Sequence, residues 1–277
     1  MSSRCHFRRV RSVAGNFSPK NLLEMSSDQD FPRQTMVRRR YCILSSQRSG
    51  STLLARMLSK TQQAGDPLEY FNLRLLQLGR AQSGNQSLTP FEFMRLMETR
   101  RTSPNGIFGM KLHYEQMLRA FQSDIPNRNM IEFLRSHQHL LWIRRRDRLR
   151  QAISHAVATH TNSFSSEEPQ TVNTGSISCF DCIRSLQVIS FQDFGWEHLI
   201  KVARLQVSTI WYEDLISEYE KTCHLVVRYL NLQNVISNIP PPPIERQSGI
   251  LNDRLYAELV EYLGIGAGLS SAHSVIE

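Results

Sequence analysis

No apolar run in this chain approaches the ~18 residues of a membrane-spanning helix, so no transmembrane segment is read from it. Cysteine is sparse: the five (Cys5, Cys42, Cys179, Cys182, Cys223) are odd in number and mostly isolated. Cys179 and Cys182 form a lone C-x-x-C with no second pair to complete a zinc tetrad, so no metal site is expected. That usage fits a reducing cytoplasm. No internal repeat is visible.

Acidic charge is short in one place only. Of 33 Lys and Arg against 25 Asp and Glu, residues 1–40 hold nine against three, and the rest is nearly balanced. Binding of nucleic acid by the whole chain loses its support. Residues 1–36 read as a basic N-terminal extension, disordered or targeting-like, without the apolar stretch of a secretory signal. A solvated tail or a gene start placed too early fits better than targeting. Met36 lies five residues before the first strand, so a start there is expected to leave a complete domain. One domain over 37–264 and a flexible tail over 265–277 complete the organisation, and a 40% hydrophobic fraction suits a substantial core.

The most informative stretch is 41–60. A short apolar run, Tyr41 to Leu44, stops at small polar residues, and Leu53, Leu54, Met57 and Leu58 then recur at helical spacing. Gln47 to Thr52 is therefore a tight loop opening a helix, where free N–H groups meet the positive dipole end. Such a turn holds a phosphate-like anion. Gly50 permits close backbone approach, Ser49, Ser51 and Thr52 offer hydroxyls, and Arg48 offers a planar cation. A nucleotide triphosphatase needs G-x-x-x-x-G-K-[ST]; here the first Gly and the Lys are missing, which argues for an anion bound without metal.

Further strands are expected at Gly106–His113, His139–Ile143 and Val207–Tyr212. Helices are expected near 91–97, 114–121, 149–157, 182–192, 196–203, 214–230 and 252–263. Residues 79–105 otherwise read as polar loop, and 162–178 as a mobile loop. Strands alternating with helices imply a three-layer α/β/α fold with a central parallel sheet and ligands at the strands' carboxyl ends. Arg144, Arg145 and Arg146 follow the third strand directly, at that same edge, with Ser154 further along the next helix. Arg148 and Arg150 read as solvated.

The run Ser-Gln-Arg-Ser-Gly-Ser-Thr-Leu-Leu (46–54) resembles the 5′-phosphosulfate loop of sulfotransferases that use 3′-phosphoadenosine 5′-phosphosulfate (PAPS), most closely the bacterial trehalose 2-sulfotransferase type. Arg145 to Ser154 resembles the family's grip on the 3′-phosphate. An Arg nine residues before the Ser picks out Arg145; the eight-residue gap of cytosolic animal sulfotransferases picks Arg146. Trp196, Trp-Tyr-Glu-Asp-Leu (211–215) and Ile-Glu-Arg-Gln (244–247) match further elements, which makes Arg246 a late 3′-phosphate contact. The resemblance spans roughly 40–263 and implies a P-loop-like sulfotransferase fold, PAPS as co-substrate, no metal and a homodimer.

Sulfuryl transfer also needs a base for the acceptor hydroxyl. Glu69, in Gly-Asp-Pro-Leu-Glu-Tyr-Phe (65–71), holds the position of the trehalose-type family's catalytic carboxylate. His113, in Lys111-Leu112-His113, resembles the Lys-x-His of cytosolic sulfotransferases. Glu69 ranks first, with His113 as base or acceptor ligand and Lys111 steering sulfuryl oxygens. The expected reaction is PAPS-dependent sulfation of a hydroxyl on a carbohydrate, glycolipid or polar metabolite. The competing readings are a non-catalytic bis-phosphonucleotide-binding protein and, further off, a P-loop kinase or nucleotide hydrolase.

Overall fold

A computed structural model describes residues 24–32, 34–161, 177–232, 239–242 and 250–264. Four strands, β1 (Arg39–Ser45), β2 (Ile107–His113), β3 (His139–Arg144) and β4 (Val207–Trp211), form one sheet in the order β2-β1-β3-β4. Every neighbouring pair is parallel, so all four carboxyl ends lie along one edge. Ser45 is opposite His113 on one side and Ile143 on the other.

Successive strand residues alternate between two cores, as the period of two demands. Cys42, Leu44, Met110, Leu112, Leu140 and Trp142 enter one; Tyr41, Ile43, Leu141, Ile143 and Ile210 enter the other. Around the sheet run α1 (Ser51–Lys60), α2 (Leu73–Ser83), α3 (Pro90–Arg101), α4 (Tyr114–Ala120), α5 (Arg128–Arg135) and α6 (Arg148–Thr161). They are followed by α7 (Cys179–Val202), α8 (Tyr212–Ser217), α9 (Tyr219–Tyr229) and α10 (Ile250–Tyr262). Helices α2 to α5 cover the first core with Trp196 and Leu199 of α7; α1 and α9 cover the second. The three-layer α/β/α arrangement with a parallel sheet is as expected. Among the described residues no helix is long and apolar enough to cross a membrane.

Four expectations change. The polar stretch 79–105 is largely helical: Thr89 and Glu92 form a reciprocal capping box around Pro90 and start α3. The helices expected at 182–192 and 196–203 are one 24-residue helix, α7. Gly195 does not break it; a Cβ there would collide with the Tyr114 ring, so glycine serves close packing. The long helix expected over 214–230 divides at Glu218, whose φ of −128° leaves the helical range between α8 and α9. Finally, residues 24–31, assigned to the extension, belong to the fold. Met25 is buried in the first core, and Arg101, fully buried, donates to the carbonyls of Glu24 and Ser26 at 2.9 and 3.0 Å. Arg101 also pairs with Asp30 at 2.9 Å, so a chain beginning at Met36 would strip this guanidinium of three partners. The loop expected over 162–178 falls outside the described residues except for Ile177 and Ser178, the latter capping α7.

Candidate active site

A chain order that places β2 and β3 on opposite sides of β1 opens a crevice at the β1/β3 carboxyl ends, where open α/β sheets take their ligands. The loop after β1 fills one wall. Arg48 (φ 59°) and Gly50 (φ 89°) are both left-handed, and the turn ends on α1, whose first turn is capped by no side chain. Left-handed residues in such a turn aim successive N–H groups into one concavity, suited to a phosphate-sized anion. Gly50 is required twice over: its conformation disfavours a Cβ, and a Cβ would enter the Tyr212 ring.

The loop is fixed from behind. Trp196 Nε1 donates to Ser45 O at 2.9 Å, and Gln151 Nε2 donates to Ser46 Oγ at 3.0 Å and to Gln47 O at 2.7 Å. The Gln47 side chain donates to Glu115 at 2.8 Å and accepts from Gln192. Ser49 turns inward and donates to Ser46 O at 2.9 Å, so its hydroxyl shapes the loop instead of facing the crevice. Arg48 Nε donates to Ser154 Oγ at 2.9 Å. That bond joins the loop after β1 to the helix after β3.

The three arginines after β3 diverge. Arg144 lies between Trp142 and Trp211, 4.1 and 5.3 Å from their ring centres. Arg145, largely buried, packs 4.6 Å from the centre of the Tyr212 ring, the ring that abuts Gly50. Arg146 sits on the rim, in a two-pronged pair with Asp214 at 2.5 and 2.9 Å. Of the two candidates, Arg145 is thus the one beside the loop. Arg148 and Arg150 are not simply solvated: Arg148 pairs with the buried carboxylate of Asp193, and Arg150 with Asp253 at 2.8 Å. Arg246 lies outside the described residues.

Across β2, Glu69 draws together four donors. Lys111 Nζ is 2.8 Å and His113 Nε2 3.3 Å from Oε1; Gln116 and Asn72 amides donate to Oε2 at 2.7 and 3.0 Å. Burial alone would push this carboxyl up, but the charges and hydrogen bonds of Lys111 and His113 outweigh it and hold it well below 4.5. Lys111 Nζ also donates to Thr52 Oγ1 at 3.0 Å, tying the carboxylate to the first turn of α1. His113 is enclosed, with Nδ1 against Ser45 Oγ at 3.0 Å. Glu69, Lys111, Thr52 and Asn72 line a cavity of about 250 Å³; His113 does not. His155, next to Ser154, bonds Ser185 at 3.1 Å; burial foremost, then Arg48 and His113, bring its pKa down to about 4.

Sheet order, left-handed loop and flanking cations together define an α/β protein with a tight turn flanked by arginines beside a carboxylate-bearing cavity. Residues 40–257 match the family described as Stf0 sulphotransferase, and the chain belongs to that family. Trehalose 2-sulfotransferase of Mycolicibacterium smegmatis is 26% identical over 247 residues, which is 77% of this chain and 91% of that protein. Among solved structures, the sulfotransferase domain from the curacin biosynthetic pathway aligns at 16% identity with a TM-score of 0.44, over 79% of this chain and 83% of that one.

Proposed function

We propose that this chain transfers a sulfuryl group from PAPS to a hydroxyl of a carbohydrate or similarly polar acceptor. One juxtaposition carries the reading: the Arg48–Ser154 bond and the shared Tyr212 ring bring the loop after β1 and the arginines after β3 to a single crevice. In this reading the Gln47–Thr52 amides and Arg48 hold the 5′ end of the donor, and Arg145 and Ser154 hold its 3′-phosphate. Arg146 would have to leave Asp214 to join them, and Arg246 is a further contact.

Bound there, the donor supplies a sulfur already bonded to a good phosphate leaving group. Glu69 accepts the acceptor's hydroxyl proton as that oxygen bonds to sulfur and the bond from sulfur to the bridging phosphate oxygen breaks. Arg48 and the loop amides hold the charge that the phosphate gains. A carboxylate kept ionised by Lys111 and His113 is a weak base, which suits a transition state that, by analogy with phosphoryl transfer, asks little of its nucleophile. Its two oxygens offer about four lone-pair sites, and four donors occupy them. One donor must therefore yield. Lys111, already in reach of Thr52 at the mouth of the cradle, yields when an anion there draws it away. His113 orients Glu69.

Calorimetry with the product 3′,5′-bisphosphate, with and without magnesium, tests the reading. Binding is expected without magnesium, weakened about 10- to 100-fold in Arg48→Ala, the range of a hydrogen bond to a charged group. Glu69→Ala is expected to keep that binding and lose transfer from PAPS. Unchanged affinity in Arg48→Ala, or binding that requires magnesium, would refute it.

A further inference from the structure

The cavity beside Glu69 has a wall that the family match does not reach. Match begins at residue 40, yet Glu24 and Gln29 line the cavity together with Thr52, Glu69, Asn72 and Lys111. They belong to a short strap, Glu24 to Phe31, that includes a single 3₁₀ turn at Ser27–Gln29. The strap is clamped to α3: Arg100 and Arg101 each pair with Asp30, at 2.8 and 2.9 Å, and Phe31 N donates to Arg100 O at 2.9 Å. Met25, buried in the core, anchors its other end.

We infer that this strap is the acceptor-selecting wall of the active site, with Gln29 and Glu24 hydrogen-bonding hydroxyls of a sugar whose reacting hydroxyl points at Glu69. The inference rests on the function proposed above. The cavity's lining mixes apolar Ala55, Pro67, Leu68 and Leu75, which suit the C–H face of a sugar ring, with polar and charged side chains, which suit its hydroxyls. Its volume of about 250 Å³ lies below the roughly 300–1,000 Å³ of drug-sized sites, so it takes one ring and leaves the rest of a larger acceptor to cross the rim. That crossing runs past Gln29, which is exposed along with Ser27 and Asp28 and, of the three, is the one that lines the cavity.

The test compares sulfation of glucose and trehalose by the full chain and by Gln29→Ala, Glu24→Gln, Glu24→Ala and Gln29→Trp, alongside calorimetry with the bisphosphate. Gln29→Ala is expected to raise KM for both sugars by about 3- to 10-fold, the worth of one neutral hydrogen bond, with kcat nearly unchanged. Glu24→Gln, which keeps an acceptor oxygen, should cost less than Glu24→Ala. Gln29→Trp narrows the rim and should penalise trehalose far more than glucose, a size dependence that simple loss of stability cannot produce. Bisphosphate affinity and melting temperature should hold in all of them. If these variants leave KM and sugar preference untouched while the wild type sulfates sugars, the strap assignment is wrong and the proposed function stands. If the wild type binds the bisphosphate but sulfates neither sugar, the acceptor assignment fails, and the strap's role with it.

Discussion

Replacing Lys111 by Met removes a charge while keeping most of the side chain's apolar length. The Lys111 side chain is 7% exposed and its ammonium sits 2.8 Å from the carboxylate of Glu69, a side chain 20% exposed, so little solvent compensates for its loss. Breaking a buried pair from one side costs about 3–5 kcal/mol. His113, Asn72 and Gln116 still face the carboxylate, which puts the expected loss near the lower end, about 3 kcal/mol. For a domain of this size that lowers the melting temperature by about 6–12 °C. The pH dependence makes the test specific. In the wild type the folded Glu69 pKa lies well below 4.5, so its ionised form contributes stability above that value, lost as pH falls through the depressed one. In Lys111→Met burial meets less opposition and the carboxyl moves up. The stability gap between the two proteins should therefore be widest near neutral pH and shrink as the medium is acidified. Urea unfolding at about pH 7 and about pH 4 measures it, and Glu69→Gln in the Lys111→Met background should recover much of the loss, since no charge is then left buried. A gap independent of pH, or no gap, would show that Lys111 does not hold Glu69.

Two more expectations follow from the cradle and the core. Gly50→Ala puts a Cβ at a φ of 89° and into the Tyr212 ring, so bisphosphate affinity should fall at least about tenfold and stability by about 1–3 kcal/mol; wild-type calorimetry for the variant would refute the cradle geometry. His137 is buried, donates Nδ1–H to Phe133 O at 2.9 Å and has no partner for Nε2 among the described residues. Burial foremost lowers its pKa to about 4. The unfolded chain takes up this proton near pH 6.5 and the folded one only near 4, so stability falls across that window by up to about 3 kcal/mol. His137→Leu should flatten that part of the urea-midpoint profile, and an unaltered slope would count against a neutral His137.

The sheet was legible because each strand is a short apolar run stopped by polar or small residues, and burial on both faces leaves little room for another reading. The tight turn at Gln47–Thr52 was legible for a similar reason: Gly50 among small polar residues, between an apolar run and a helical pattern, marks a sharp bend. What sequence could not reveal is the bracing. Gln151, Gln192, Asn72 and Gln116 are neutral amides with no characteristic spacing, and only the fold aims them at the loop and at Glu69. Gln151 carried one faint signal, lying one helical turn before Ser154 on the same face of α6. The join between the helices expected at 182–192 and 196–203 was not legible, because Gly195 is explained only by the facing Tyr114 ring. Residues 24–31 misled through composition: a polar strap looks like a tail until Arg101, some seventy residues on, is found to need its carbonyls.

Arg101 also explains how the strap is coupled to Glu69. Its Nη1 donates to Asp66 at 2.6 Å while its Nε pairs with Asp30 at 2.9 Å, so a single buried guanidinium joins the strap to the turn that carries Glu69. That turn is held again four residues on, where the Tyr70 hydroxyl donates to Asp66 O, and Asp66 accepts from Ser59 of α1 at 2.8 Å. Between those fixed points Glu69 faces the cavity. A change in the strap that shifts Asp30 must either strand half of a buried charge, at a cost of several kcal/mol, or move Asp66 with it. The strap and Glu69 therefore keep their spacing, and the loop after β1 shares that frame through the Lys111–Thr52 and Ser59–Asp66 bonds, while Trp196 and Gln151 brace it from behind.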